Sequence, residues 1–411
     1  MSPLSGSAMA RHAVEAAWTS YGRLLAILAS RTSDIAAAED ALSEAFATAL
    51  KTWPERGVPD NPAAWLLTAA RRNVLHRLRH QEVQRGAVDA LLLRVDERSD
   101  PEGWSTLDER LALLFVCAHP AIDEGIRTPL MLQTVLGLDA QRIGSAFLVA
   151  PATMGQRLVR AKAKIKADGL RFEVPDASEL AVRLEDVLRS VYVAYGAGWD
   201  DLDDGRGLSE EALFLGRTLL TLLPEEPEVK GLLALMLFCE ARRGARLDAQ
   251  GRFVPLAEQD PGRWSSPLII EAEVLLSEAA RALRFGRFQC EAAIQSVHAQ
   301  RGITGVTQHH ALRTLYDLLL IHVPSMGVAV ARAAALLEAG DLQGGQHALD
   351  ALTAEDAHRY QPYWVTRARL YELRGAPSEQ RAALRRALGL TEDPAVRSFL
   401  TDKLLALGPE A

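Results

Sequence analysis

The chain reads as an all-α protein of several helical domains, and three observations predict it. Alanine, leucine, arginine and glutamate dominate its 411 residues, while alternating β-branched runs are scarce. Apolar residues make up 48% and charged residues 24%, the balance of a chain with a packed core rather than a disordered one. Glycine, proline and aspartate recur between short apolar-periodic segments, most densely in the C-terminal half.

Residues 1–8 lack the basic-then-apolar pattern of a signal peptide and read as a tail. Helical periodicity then predicts helices over 11–30, 34–52 and 62–82, with a short candidate over 86–93. The stretch Pro54 to Pro62, with Gly57 and Pro59 between, forbids a continuous helix, and Pro62 after Asn61 is a helix-start signal. These segments form a first block at 11–93. A polar linker, 94–105, contains Asp100-Pro101-Glu102-Gly103. A second helical block covers 106–170, and residues 172–178, with Pro175, form the next linker.

The third block, 180–411, is the longest. Within it, Val328–Leu352 and Tyr363–Ala387 resemble each other at an offset of 35 residues. Ala333 matches Ala368, Leu336 matches Tyr371, and Leu349 matches Leu384. Each copy reads as a helix, a turn (Gly340-Asp341; Gly375-Ala376-Pro377) and a second helix. That period fits tetratricopeptide-like hairpins. The copies differ where Gly345 faces Gln380, so an irregular helical bundle stays open.

Charge is unevenly placed. The net charge is −7, yet residues 1–172 sum to +2 and residues 173–411 to −9. Arg71, Arg72, Arg77, Arg79 and Arg85 cluster in one stretch. Arg142, Arg157, Arg160, Lys162, Lys164 and Lys166 cluster in another that contains no acid. Local basic stripes govern phosphate contact more than the total does.

The second stripe sits in a helix–turn–helix pattern. Ile143 and Phe147 share one helical face, and Gly144 permits a close approach. Ala150-Pro151 then breaks the chain, and Met154 and Leu158 form the next buried stripe. Such a motif sets its second helix into the DNA major groove, where arginine reads guanine edges or binds phosphate. The plainer alternative is a helical hairpin with a solvated basic face. In the first block, an acidic helix start holds Asp34, Glu39, Asp40 and Glu44, and a basic helix follows Trp65. Helix-start acids also favour the macrodipole, and Trp65 also suits a core.

Taken together, the order Asp34…Glu39-Asp40…Glu44, Trp65-Leu66…Arg71-Arg72-Asn73, Ile143-Gly144…Phe147 and Thr153-Met154…Arg157…Arg160-Ala161-Lys162 resembles extracytoplasmic-function sigma factors. The resemblance implies that 11–93 is sigma region two, binding core RNA polymerase and the promoter −10 element. It implies that 106–170 is region four, binding the −35 element. By position, Asp40 and Glu44 would meet polymerase. Arg56, Asp60, Asn61, Arg71, Arg72, Asn73, Arg77 and Arg79 would serve −10 DNA. Thr153, Gln156, Arg157, Arg160, Lys162 and Lys164 would serve −35 DNA. The family commonly has a basic residue where Gly155 stands.

A narrower likeness joins Trp53-Pro54…Gly57, Cys117-Ala118-His119-Pro120, Phe172-Glu173-Val174-Pro175 and Asp260-Pro261…Trp264. These segments resemble the sigma subgroup with a C-terminal tetratricopeptide-like extension. Tyr195-Gly196-Ala197-Gly198-Trp199 departs from that subgroup's usual Phe-Asn-Glu-Gly-Tyr. The resemblance implies promoter DNA and core polymerase as partners. The −9 charge beside basic faces adds an expected contact between 180–411 and the sigma domains, as a control on activity.

No enzyme, cofactor or metal signature is present. There is no Walker motif, no Gly-x-Ser-x-Gly and no His-Glu-x-x-His, and adjacent His309 and His310 do not converge on one ion. Cys117, Cys239 and Cys290 lack metal spacing and read as buried thiols in a reducing, cytoplasmic compartment. No apolar run is long enough to span a membrane. Two rivals remain: a helix–turn–helix regulator with a helical-repeat sensor domain, and an enzyme within 180–411.

Overall fold

The computed structural model describes residues 20–85, 106–147, 149–200, 206–352, 357–391 and 393–408. Those residues are all-α, apart from one isolated bridge between Leu247 and Phe253. The N-terminal tail, the candidate helix 86–93 and the linker up to 105 lie outside them. The chain divides into two compact units, one ending at Leu222 and the other starting at Leu223.

In the first unit, α1 (Tyr21–Thr32) buries Leu24, Leu25, Ile27 and Leu28. Ser33 adopts a left-handed φ of 52° and ends it. The Asp34 carboxylate accepts the Ala37 N–H and caps α2 (Ile35–Arg56). Helix α2 buries Ile35, Ala38, Leu42, Ala45, Ala49 and Trp53, a stripe at helical spacing. It runs past the expected end at 52, through Pro54, to Arg56. Gly57, at φ 85°, then stops the helix, with its N–H on the Trp53 carbonyl.

Asn61 Oδ1 accepts the Ala64 N–H, and Pro62 opens α3 (Pro62–Arg85). Trp53 and Trp65 meet edge to face at 5.4 Å, closing the loop between α2 and α3.

Four further helices follow: α4 (Thr106–Cys117), α5 (Glu124–Leu136), α6 (Ala140–Ala146) and α7 (Pro151–Ala167). Asp123 caps α5, and Gly137 at φ 69° ends it. A Cβ on Gly144 would stand 2.6 Å from the Val149 carbonyl oxygen, so glycine is what allows the tight turn from α6 into α7. Ile143, Met154 and Leu158 are buried between the two helices.

Helix α1 packs against both α4 and α5. The approach to α5 is closest at Gly22, where a Cβ would stand 1.9 Å from the Val135 carbonyl oxygen.

Helices α8 (Ala177–Asp200) and α9 (Arg206–Leu222), assigned from sequence to the extension, fold with the first unit. Arg127 of α5 pairs with Asp186 of α8 at 2.5 Å, and Glu124 pairs with Arg189 at 3.0 Å. Thr128 and Ser190 share a hydrogen bond of 3.1 Å. The Arg110 guanidinium lies 4.8 Å over the Phe214 ring of α9.

The second unit begins with α10 (Pro227–Ala241), which is apolar all round and buried from Leu232 to Phe238. Helices α11 (Ser266–Ala280) and α12 (Arg287–Ala299) enclose it, and Gly231 lets α12 cross closely. After the single turn α13 (Arg301–Thr304) come α14 (His309–His322), α15 (Met326–Glu338) and α16 (Leu342–Asp350). The last three are α17 (Gln361–Leu373), α18 (Pro377–Gly389) and α19 (Pro394–Ala406).

Helices α15 and α17 start 35 residues apart, as do α16 and α18. Ala333 and Ala368 are buried at equivalent positions, and so are Leu349 and Leu384. A Cβ on Gly345 would collide with Leu337, so the first copy needs glycine there. Cys117 and Cys290 are buried free thiols, and Cys239 is half-buried.

Two glycines in the first unit give opposite expectations. Gly22→Ala forces α1 off α5 and lowers stability by about 1–3 kcal/mol. Gly155→Ala, whose Cβ would meet only Ala140 at 3.8 Å, raises it by about 1 kcal/mol. Denaturant midpoints of the two variants check both signs.

Candidate nucleic-acid interface

Helix α7 has two faces. Met154, Leu158, Ala161 and Ile165 are buried, at spacings that line one side of a helix. Thr153, Gln156, Arg157, Arg160 and Lys164 are exposed on the other. Arg157 and Arg160 make no ion pair among the described residues, whereas Lys164 pairs with Asp168 at 2.7 Å. Arg157, Arg160 and Lys164 rim a groove of about 380 Å³ whose floor includes Ile122, Ile126 and Ala161. The exposed face is cationic and open to a polyanion.

Lys162 departs from the expected set. Its side chain is 8% exposed, and the ammonium donates to Glu39 Oε2 at 2.5 Å and Gln133 Oε1 at 2.9 Å. It is therefore a bond between α7, α2 and α5 and not part of the open cationic face. The reason is positional: Lys162 lies four residues after Leu158, on the apolar stripe. Lys166 adds a second link, pairing with Asp34 at 2.6 Å. Burial raises the Glu39 pKa even though Lys162 pulls it down, and Glu39 Oε1 has no hydrogen-bond partner among the described residues.

In the first three helices, Arg77 donates to Asp40 at 3.0 Å and also bonds Glu44. The expected DNA-facing arginine and the two expected polymerase-facing acids thus form one exposed cluster. The bond to Glu44 is the main reason that the Arg77 pKa is raised. Asn73 Nδ2 donates to the Ala41 carbonyl at 3.2 Å, holding α3 on α2. Asn61 is engaged as the α3 cap. Arg56, Asp60 and Arg72 are exposed, and Arg71 is half-buried with its pKa lowered by burial and by nearby Arg31. The side chain of Arg79 lies outside the described residues.

Sequence reasoning missed Gln133, Glu39, Asp34 and Gly22 as the residues that set how α7 and α1 pack. A lysine in register with Met154 and Leu158 was the available signal for the first two. Among the described residues, no group of three or more metal-ligating side chains converges, and no helix is long and apolar enough to cross a membrane.

Residues 18–83 match the sigma-70 region 2 family, and residues 183–280 match a family of unknown function, DUF6596. An uncharacterized protein of Rhizobium meliloti is 35% identical over 383 residues, covering 91% of this chain and 90% of that protein. A protein of Xanthomonas campestris pv. campestris, described as probable RNA polymerase sigma factor RfaY, is 29% identical over 177 residues. That match covers 39% of this chain and 43% of the relative. No solved structure matches the chain significantly.

The helices α1–α3 thus carry the sigma-70 region 2 domain, the mark of a sigma factor acting in transcription initiation. The chain as a whole belongs to the family of the Rhizobium meliloti protein.

Replacing Lys162 by methionine strands Glu39 among apolar groups. The expected loss is on the order of 3–5 kcal/mol at neutral pH, with most of it recovered in the Lys162→Met/Glu39→Leu pair. Because burial raises the Glu39 pKa in the folded state, the folded chain binds that proton more firmly than the unfolded chain. The single variant therefore gains stability as pH falls toward the carboxylate range and loses it as pH rises through the folded pKa. Urea denaturation of both variants across pH checks the magnitude and the sign.

Proposed function

We propose that this sigma factor is of the extracytoplasmic-function type, with α4–α7 as its region four and the C-terminal helices as a tetratricopeptide-like regulatory extension. The observation that carries the reading is the exposed face of α7. Arg157 and Arg160 stand there with no ion pair among the described residues, on a helix packed on its other side, in a chain that holds a region 2 domain.

In this reading α6 and α7 are the helix–turn–helix, and α7 enters the major groove of the −35 element. Arg157 and Arg160 make the main contacts, with Thr153, Gln156 and Lys164 beside them. Arg56, Asp60, Arg71 and Arg72 serve the −10 element. Asn61, Asn73 and Arg77 shape that surface through their own bonds. Arg77 also holds Asp40 and Glu44 in place for polymerase.

The first unit must open to work this way. Both α3 and α7 pack against α2. At about 8–10 Å between the axes of packed helices, the axes of α3 and α7 therefore come within roughly 20 Å of each other where they cross α2. Elements named −10 and −35 stand about 25 base pairs apart, roughly 85 Å of duplex at ~3.4 Å per pair. Core polymerase supplies the separation in this account. Helix α8, which opens the extension, grips α5 within the first unit through Arg127–Asp186 and Glu124–Arg189.

Run-off transcription with purified core polymerase and promoters of the source genome tests the reading. The unaltered chain gives specific initiation, and Arg157→Ala/Arg160→Ala loses it while retaining core binding. In duplex-binding assays the double variant also reduces the salt slope by about two, one for each lost phosphate contact. Unchanged initiation by the double variant contradicts the assignment of α7. DNA binding without initiation favours a stand-alone regulator.

A further inference from the structure

The second unit holds a cavity of about 840 Å³ between α12, α14 and α15, bounded also by Leu256 and Ala257. That is within the range of small-molecule sites, roughly 300–1,000 Å³. The space exists because α15 presents Ala331, Ala334 and Ala335 toward it, where larger side chains would fill it. A wall of small residues is not a site in itself. What marks this one is the set of polar side chains that converge on it without partners.

His298, His309 and Tyr316 all line the cavity, and none makes a side-chain hydrogen bond or ion pair among the described residues. Burial, reinforced by Arg242, His309 and Arg301, holds the His298 pKa down to about 4, so its ring is neutral at pH 7. Burial pushes the Tyr316 hydroxyl up to about 12, so it stays a donor. The cavity thus offers the Tyr316 O–H and the imidazole N–H of His298 to an acceptor.

The charge around the cavity favours an anion. Arg301 bonds the carbonyls of Leu256, Ala257 and Gln259 and lies 5.2 Å over Trp264, but no carboxylate pairs with it among the described residues. The acid on the rim, Glu338, is held by Arg369 through bonds of 2.7 and 3.2 Å.

We propose that this cavity binds a small organic carboxylate with an apolar body. The body lies along the alanine wall beside Leu312, and the carboxylate accepts from Tyr316 and His298 in the field of Arg301. This site stands independently of the sigma reading, because its test measures binding and not transcription.

Isothermal titration of the full chain with 2-naphthoate, and with neutral 2-naphthamide of the same shape, tests the proposal. The expected result is one-site binding of naphthoate, at least tenfold tighter than the amide. Ala334→Trp fills the cavity and abolishes binding. Tyr316→Phe removes one donor to a charged acceptor and weakens binding about tenfold or more. Thermal melts establish that both variants fold, and Tyr316→Phe keeps the test decisive if Ala334→Trp does not. No saturable naphthoate binding up to millimolar concentration overturns the proposal. Equal affinity for the amide, or unaltered binding in folded Tyr316→Phe, also overturns it.

Discussion

A buried ammonium sets the terms for the first unit. Lys162 sits on the apolar side of α7, where an unpaired charge would be prohibitive, so α7 packs only where a carboxylate and an amide meet it. Glu39 on α2 and Gln133 on α5 supply them, fixing α7 against two helices at once. The near contact of Gly22 with the Val135 carbonyl holds α1 to α5 on the same body. With that side of α7 committed, its rotation is settled, and Arg157 and Arg160 can only face outward. The open cationic surface is thus a consequence of the buried ion pair.

Most helices were legible from sequence because their signals are local. Pro62 and Pro151 start helices, Gly144 permits the α6–α7 turn, and the stripe from Ile35 to Trp53 has helical spacing. The 35-residue offset between Ala333 and Ala368, and between Leu349 and Leu384, was visible for the same reason. Differences arose where distant residues decide. Pro54 suggested an early end to α2, but the helix continues for two residues beyond it, and Gly57 provides the stop. Pro175 suggested a boundary before α8, but Asp186, Arg189 and Ser190 reach back to α5, and no local pattern announces such pairs.

The site was legible in the same uneven way. Exposure of Arg157 and Arg160 follows from the helical period once Met154 and Leu158 are placed inside. A run of basic residues reads as one face, although the spacing of Lys162 puts it on the other. Asn61, Asn73 and Arg77 fit the pattern of a DNA-facing surface, yet each has an internal partner: the Ala64 amide, the Ala41 carbonyl and the Asp40–Glu44 pair. Asn73 and Arg77 shape the surface by holding α2 and α3 together, and Asn61 does so by capping α3.

In the proposed function the first unit is closed when free and open when it reads a promoter. Pulsed electron resonance between spin labels at Ala47 on α2 and Ala163 on α7, both exposed, reports that separation. Half-buried Cys239 is replaced by serine, and the other two cysteines are buried. A single short distance in the free chain, moving to a distinctly longer one with core polymerase and promoter DNA, is the predicted result. The same short distance in a complex that initiates transcription would contradict it.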